Sequence, residues 1–173
     1  MIRIGIIGGA GYTAGELLRI LLNHPNAEIE FVQSSSNAGN LISDIHIDLL
    51  GETNLSFTAK MPFDEVDVIF LCMGHGNSKE FIENNELPES LKIIDLSHDF
   101  RLKREDNNFV YGLPELNRVE IKSANKIANP GCFATGIQLA LLPLAANKLL
   151  VDEVHVQAIT GSTGAGQNPT ETS

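Results

Sequence analysis

Residues 2–22 read IRIGIIGGAGYTAGELLRILL, and the order of properties along them decides the fold. Ile2 to Ile7 is a short β-branched run that passes directly into glycines, after which Glu16 to Leu22 has the apolar spacing of a buried helix face. The order is strand, tight turn, helix. The helix is expected to stop near Asn23-His24-Pro25, because proline disfavours helical geometry before it, and Glu28 to Gln33 then reads as a second strand. A βαβ unit is complete by Gln33.

Outward from this unit, further strands are expected at Val66 to Met73, Leu91 to Leu96, around Lys126 to Asn129 and at Val154 to Ile159, with a helix at Ser78 to Asn85. Strands alternating with helices predict an α/β fold: a Rossmann-like, doubly wound, mainly parallel sheet covered on both faces. Phe133 to Leu150 is a largely apolar helix signal in which Pro143 would kink or split the helix, and its apolar character predicts deep packing.

The 173 residues, 43% of them hydrophobic, suffice for the core of one α/β domain and are short for two. A formal net charge of -10 argues against nucleic acid or an anionic membrane as partner, since both are held by clustered Lys and Arg. An anionic ligand must therefore be held locally. No apolar run approaches the length of a membrane helix, and MIRIGIIGG is too short and strand-like for a secretory signal, so a cytoplasmic location is expected. The five histidines are too dispersed for a metal site. Cys72 and Cys132, the two cysteines, are read as separate free thiols.

In GGAGYTAGE, Gly8, Gly11 and Ala14 form a G-x-x-G-x-x-A turn that follows a strand and opens a helix. Pyrophosphate binding needs such a turn, because side chains would block close approach while helix N–H groups offer partial positive charge. Gly8, Gly11, Tyr12, Thr13 and Ala14 are the candidate cofactor contacts; a tight βα turn without a nucleotide is the structural alternative. NAD-type sites usually place Asp or Glu at the end of the second strand. Here the segment is Gln33-Ser34-Ser35-Ser36-Asn37, and hydroxyls such as those of Ser34 and Ser36 can donate to a 2′-phosphate that a carboxylate would repel. NADP(H) is thus favoured over NAD(H).

Cys132 lies in Ala128-Asn129-Pro130-Gly131-Cys132-Phe133-Ala134-Thr135, at the entrance of the apolar helix. Unpaired N–H groups there favour an anion, whether a thiolate or the oxyanion formed when it attacks a carbonyl. Cys72, inside an apolar strand run, reads as a core residue.

Taken together, GGAGYTAGELLRIL, SSSNAGN, IIDLSHDFRL, VYGLPELN, ANPGCFAT and GSTGAG resemble the N-acetyl-gamma-glutamyl-phosphate reductase family of arginine biosynthesis, in order and from end to end. The resemblance implies residues 1–149 as an NADP-binding domain carrying the catalytic Cys132, and residues 150–173 as the start of a substrate domain. It implies an acyl phosphate as small-molecule substrate, a Cys132 thioester reduced by NADPH to the aldehyde, and a homo-oligomer. Arg101, whose guanidinium offers a bidentate fork, and Asn129 are the candidate substrate contacts; a surface ion pair of Arg101 with Asp99 or Glu105 is the plainer reading. Gly74 and His75 would line the cofactor pocket, and Ser162 and Gly164 would approach cofactor or substrate through backbone groups. The chain departs from the family at Ala14, often glycine there; at Ser35, often arginine; at Phe133-Ala134-Thr135, where an aromatic-Pro-Thr is familiar; and at His98, more often a small residue. The family's catalytic histidine would fall beyond Ser173, so the chain alone is expected to bind cofactor without efficient turnover. The enzyme alternative is a related reductase of aspartyl or aminoadipyl phosphates; the other is a nucleotide-binding module without turnover.

Overall fold

A computed structural model describes residues 1–165 of the chain. Strand β1 (Ile2–Ile7) leads through the glycine turn into α1 (Tyr12–Leu22), which returns to β2 (Ala27–Gln33). Then follow β3 (Phe57–Thr58), β4 (Val68–Leu71), α2 (Ser78–Asn84), β5 (Lys92–Asp95), β6 (Val110–Tyr111), α3 (Pro114–Ser123), β7 (Lys126–Ala128) and α4 (Cys132–Ala146). The seven strands form one sheet in the order β3-β2-β1-β4-β5-β7-β6, and every paired neighbour is parallel. This is the doubly wound Rossmann-like arrangement. Its order reverses between β1 and β4, where such folds leave a crevice at the carboxyl ends of the strands.

Side-chain alternation along β1 builds the two layers. Ile4 and Ile6 join Ala14, Leu18 and Leu21 of α1, Val32 and Phe57 in one core, whereas Ile7 faces the other way, with Phe31, Ile69, Leu71 and Ile93 and the flank of α2 at Phe81 and Ile82. At the opposite edge of the sheet from the crevice, Arg3 clamps β1 to the entry of β4: its backbone N–H and its Nη2 each lie 2.8 Å from an oxygen of Asp67. The Arg3 guanidinium holds the Asp67 carboxyl down at about 2.

Two expectations fail, and both concern the end of the chain. Residues 154–159 form no strand, since among the described residues no neighbouring strand offers them a ladder, and Ile159 is 99% exposed. Helix α4 runs through Pro143 to Ala146, yet none of its residues is buried; Phe133, Leu139 and Leu144 face solvent. Its apolar sequence is thus not matched by burial among the described residues.

Candidate active site

Because all strands run the same way, each candidate segment emerges at the same sheet edge: the glycine turn after β1, Ser34–Asn37 after β2, Met73–Asn77 after β4, Leu96–Arg101 after β5 and Asn129–Cys132 after β7. The sequence spreads these groups over most of the chain. The topology gathers them.

The glycines of the turn do different work. Gly8 has φ +78° and a Cβ there would lie 3.0 Å from the Cys72 backbone, so the protein itself requires this glycine. Gly11, the N-cap of α1, has ordinary extended backbone (φ -80°, ψ 163°), and a Cβ would approach nothing closer than 3.9 Å. Its missing side chain serves the space outside the protein. The N–H groups at the start of α1, from Tyr12 to Ala14, have no intrahelical acceptors, and no side chain caps the helix, which suits an anion. Tyr12 and Thr13 are exposed, whereas Ala14 is fully buried and lets α1 sit close to the sheet.

Two residues that the sequence reading passed over hold this turn. His46, buried at the N-cap of a short 3-10 segment (Ile47–Leu49), places Nε2 2.8 Å from the Gly9 carbonyl; since a carbonyl only accepts, Nε2 carries the proton. Gln33 accepts from Gly8 N–H through its side-chain Oε1 (3.2 Å) and from Gly9 N–H through its backbone carbonyl (2.7 Å). Beyond it, Ser34 is buried, Ser35 and Ser36 are exposed, and Asn37 Nδ2 donates to both Ser34 and Ser36.

Gly74 (φ +86°) and His75 are exposed on the next loop. The backbone N–H of His98 donates to His75 Nδ1 (3.1 Å), and the two rings meet edge to face at 4.5 Å. Partial burial, then the neighbouring His98 and Arg101, lowers the His75 pKa, which agrees with an Nδ1 that accepts. The N-terminus of α2 is already filled: Asp99 accepts from the N–H groups of Gly76 (2.7 Å), Ser78 (3.0 Å) and Lys79 (3.3 Å). Burial raises the Asp99 pKa, but these N–H groups outweigh it and the carboxyl sits below its ordinary value.

Cys132 is exposed at the first position of α4, after the N-cap Gly131. Arg101 stands behind it. Its Nε donates to the Asn129 carbonyl (2.8 Å) and its Nη2 to the Leu96 carbonyl (2.9 Å), while Nη1 lies 2.9 Å from where a side chain on Gly131 would begin. The guanidinium thus clamps the thiol loop to the loop after β5, and among the described residues it pairs with no carboxylate, Asp99 and Glu105 included. Asn129 is exposed, with its own N–H donating to the Asp95 carbonyl (2.8 Å). A cavity of about 450 Å³ opens beside Cys132, between the first turns of α4 and residues 154–159. Ser162 and Gly164 lie in a 3-10 turn at Ser162–Ala165, outside the sheet.

The second thiol has the opposite surroundings. Burial, and then the charge of Asp95, push Cys72 up to about 12. Asp95 is itself fully buried and ringed by the hydroxyls of Ser78 (2.5 Å) and Ser97 (2.7 Å). Brief alkylation of the folded chain at neutral pH, read by peptide mass spectrometry, should label Cys132 at least about 100-fold faster than Cys72, because thiolate is the attacking species. Faster labelling of Cys72 would contradict this arrangement.

Comparison with known proteins shows the family and the fold. Residues 3–124 match the family model for the semialdehyde dehydrogenase NAD binding domain, and residues 132–173 match the semialdehyde dehydrogenase dimerisation domain. N-acetyl-gamma-glutamyl-phosphate reductases from Parabacteroides distasonis and Bacteroides thetaiotaomicron are 61% and 62% identical to all 173 residues, which cover 54% of each relative. That of Christiangramia forsetii is 61% identical over 96% of this chain and 51% of its own length. The chain therefore spans about half the length of the curated relatives it matches. In fold it is similar to aspartate semialdehyde dehydrogenase with NADP from Candida albicans (TM-score 0.62, 18% identity, 88% of this chain and 49% of that one). It is also similar to aspartate semialdehyde dehydrogenase II from Vibrio cholerae (TM-score 0.60, 20% identity, 85% and 43%).

Proposed function

Since this chain belongs to the semialdehyde dehydrogenase family, we propose that it supplies the dinucleotide domain and the nucleophile of a reductase that converts N-acetyl-γ-glutamyl phosphate to N-acetylglutamate semialdehyde in arginine biosynthesis. The observation that carries this reading is the exposed Cys132 at the entrance of α4, in a loop that Arg101 pins through the Asn129 carbonyl, on the same sheet edge as the open glycine turn.

In this reading residues 1–149 hold NADP(H) and residues 150–173 open the substrate domain. The N–H groups at Tyr12 to Ala14 would hold the pyrophosphate beside the side-chain-free Gly11, Ser34 and Ser36 would donate to the 2′-phosphate, Gly74 and His75 would line the cofactor pocket, and Ser162 and Gly164 would approach cofactor or substrate through backbone groups. The Cys132 sulfur attacks the acyl carbon, phosphate leaves with the bonding pair, and the acyl group is held as a thioester, which accepts hydride far better than a carboxylate does. NADPH, when bound, would supply that hydride, and the C–S bond would then break to release the aldehyde and return Cys132 as the thiolate. First-turn N–H groups of α4 face the oxyanion that forms at each addition. Arg101 Nη1 and Asn129 face the substrate's phosphate or carboxylate while the other guanidinium nitrogens keep the loop in place. The protein works in the cytoplasm as a homo-oligomer on a small acyl phosphate, and among the described residues no helix is long and apolar enough to cross a membrane.

The test is NADPH oxidation by a version extended to the relatives' full length. The kcat/KM for N-acetyl-γ-glutamyl phosphate should exceed those for aspartyl and aminoadipyl phosphates by on the order of 10²-fold, the scale that pocket shape can deliver. A preference for aspartyl phosphate would replace this substrate with the other.

A further inference from the structure

Gln33 closes β2, the place where NAD-type sites carry the acidic residue that takes the ribose hydroxyls. Its side chain turns inward instead. A backbone N–H can only donate, so the contact from Gly8 N to Gln33 Oε1 (3.2 Å) fixes which end of the amide is oxygen. The other end, Nε2, must then be the donor to Ser35 Oγ at 3.0 Å. With its oxygen accepting this bond, the Ser35 hydroxyl directs its own proton away from the Gln33 amide. Asn37 treats the adjoining serines alike, its Nδ2 donating to Ser34 Oγ (3.1 Å) and Ser36 Oγ (3.0 Å). Of the three, Ser35 and Ser36 are exposed. The segment 33–40, QSSSNAGN, contains neither a cation nor a carboxylate.

We propose that Gln33 is a specificity-determining residue for the adenosine 2′-phosphate: by donating to Ser35 while anchored on Gly8, it makes the serine loop present hydroxyl protons to the phosphate. The inference rests on the reading that the glycine turn takes a nicotinamide dinucleotide. A 2′-phosphate has only acceptor oxygens, so a loop of committed donors suits it without a guanidinium, whereas a 2′-hydroxyl gains little from a second donor. Gln33 acts through Ser35, so it is a positioning residue, and the same amide ties the phosphate loop to the pyrophosphate turn.

The experiment measures dissociation constants of NADPH and NADH for the 173-residue chain and its Gln33→Met, Gln33→Glu and Ser35→Ala variants, by nucleotide fluorescence. Gln33→Met, which keeps length and neutrality but also releases the Gly8 N–H, should weaken both nucleotides, and NADPH about tenfold more than NADH, the scale of one hydrogen bond to a charged group. Gln33→Glu, which takes the Ser35 proton for itself and adds a charge, should weaken NADPH by about 100-fold. Ser35→Ala should weaken NADPH about tenfold alone and add almost nothing to Gln33→Met, since the two act as a unit. Equal weakening of both nucleotides would reduce Gln33 to a structural role, and loss with Gln33→Glu but not Gln33→Met would make the effect one of charge; either overturns the proposal. If the Gln33 variants do not fold, unchanged NADPH binding by Ser35→Ala overturns it. An unmodified chain that binds neither nucleotide defeats the cofactor reading itself, a distinct outcome.

Discussion

Cys132→Ser in a version extended to the relatives' full length is expected to lower kcat on the order of 10⁴–10⁶-fold, the scale seen when a catalytic nucleophile is removed, while the NADPH dissociation constant stays within about twofold. Serine fits the position, since Cys132 is exposed and its backbone only begins α4. The clamp from Arg101 grips the Asn129 and Leu96 carbonyls and does not touch the sulfur, so the loop keeps its shape. What is lost is the nucleophile: a hydroxyl is scarcely ionised near neutrality and its ester accepts hydride less readily than a thioester. Turnover and nucleotide titration measured side by side separate chemistry from binding. A kcat within tenfold of the parent would mean that another group attacks the acyl phosphate.

Gly11→Val should raise the NADPH dissociation constant by at least about 100-fold, or about 2.8 kcal/mol at 1.4 kcal/mol per tenfold, with little change in melting temperature. The two halves of that statement come from different observations. Extended backbone at Gly11 (φ -80°, ψ 163°) is the region valine prefers, and the nearest protein atom to an added Cβ is 3.9 Å away, so the fold does not object. The branched side chain would stand where the pyrophosphate must approach the first turn of α1. Gly8 is the contrasting case, because its φ of +78° and the Cys72 backbone at 3.0 Å make any side chain there a folding defect before it is a binding one. A stable Gly11→Val chain that titrates NADPH as the parent does would move the nucleotide off this turn.

The first βαβ unit was legible in the sequence because its signals are local and agree: a β-branched run, glycines at the turn, an apolar helix face and a proline after it. Cys132 was legible for the same reason, as a thiol in a glycine-bounded turn before a long apolar helix. The two-residue strands β3 and β6 were not, since they exist only through pairing with β2 and β7, and two residues carry no period. Helix α3 hides behind a polar sequence with no buried residue and a non-helical Asn117, whose Nδ2 is bound to the Tyr111 carbonyl (2.8 Å). The apolar runs of α4 and 154–159 pointed to burial that the described residues do not show, because burial needs a partner surface that a local pattern does not locate. His46, the inward amide of Gln33 and the Arg101 clamp are long-range hydrogen bonds. The bonds from His46 to Gly9, from Gly8 to Gln33 and from Arg101 to Asn129 join residues 25 to 37 apart and leave no trace in spacing.

The contrast between the two sulfurs also decides what oxidants do to the protein. Among the described thiols a peroxide meets one that is exposed, Cys132, while Cys72 stays protonated against the core. Since Cys72 is the one other thiol among the described residues and burial holds it protonated, a sulfenic acid at Cys132 meets no ready resolving thiolate there. It is restored by an external thiol such as glutathione, or it climbs to the sulfinic stage and stays there.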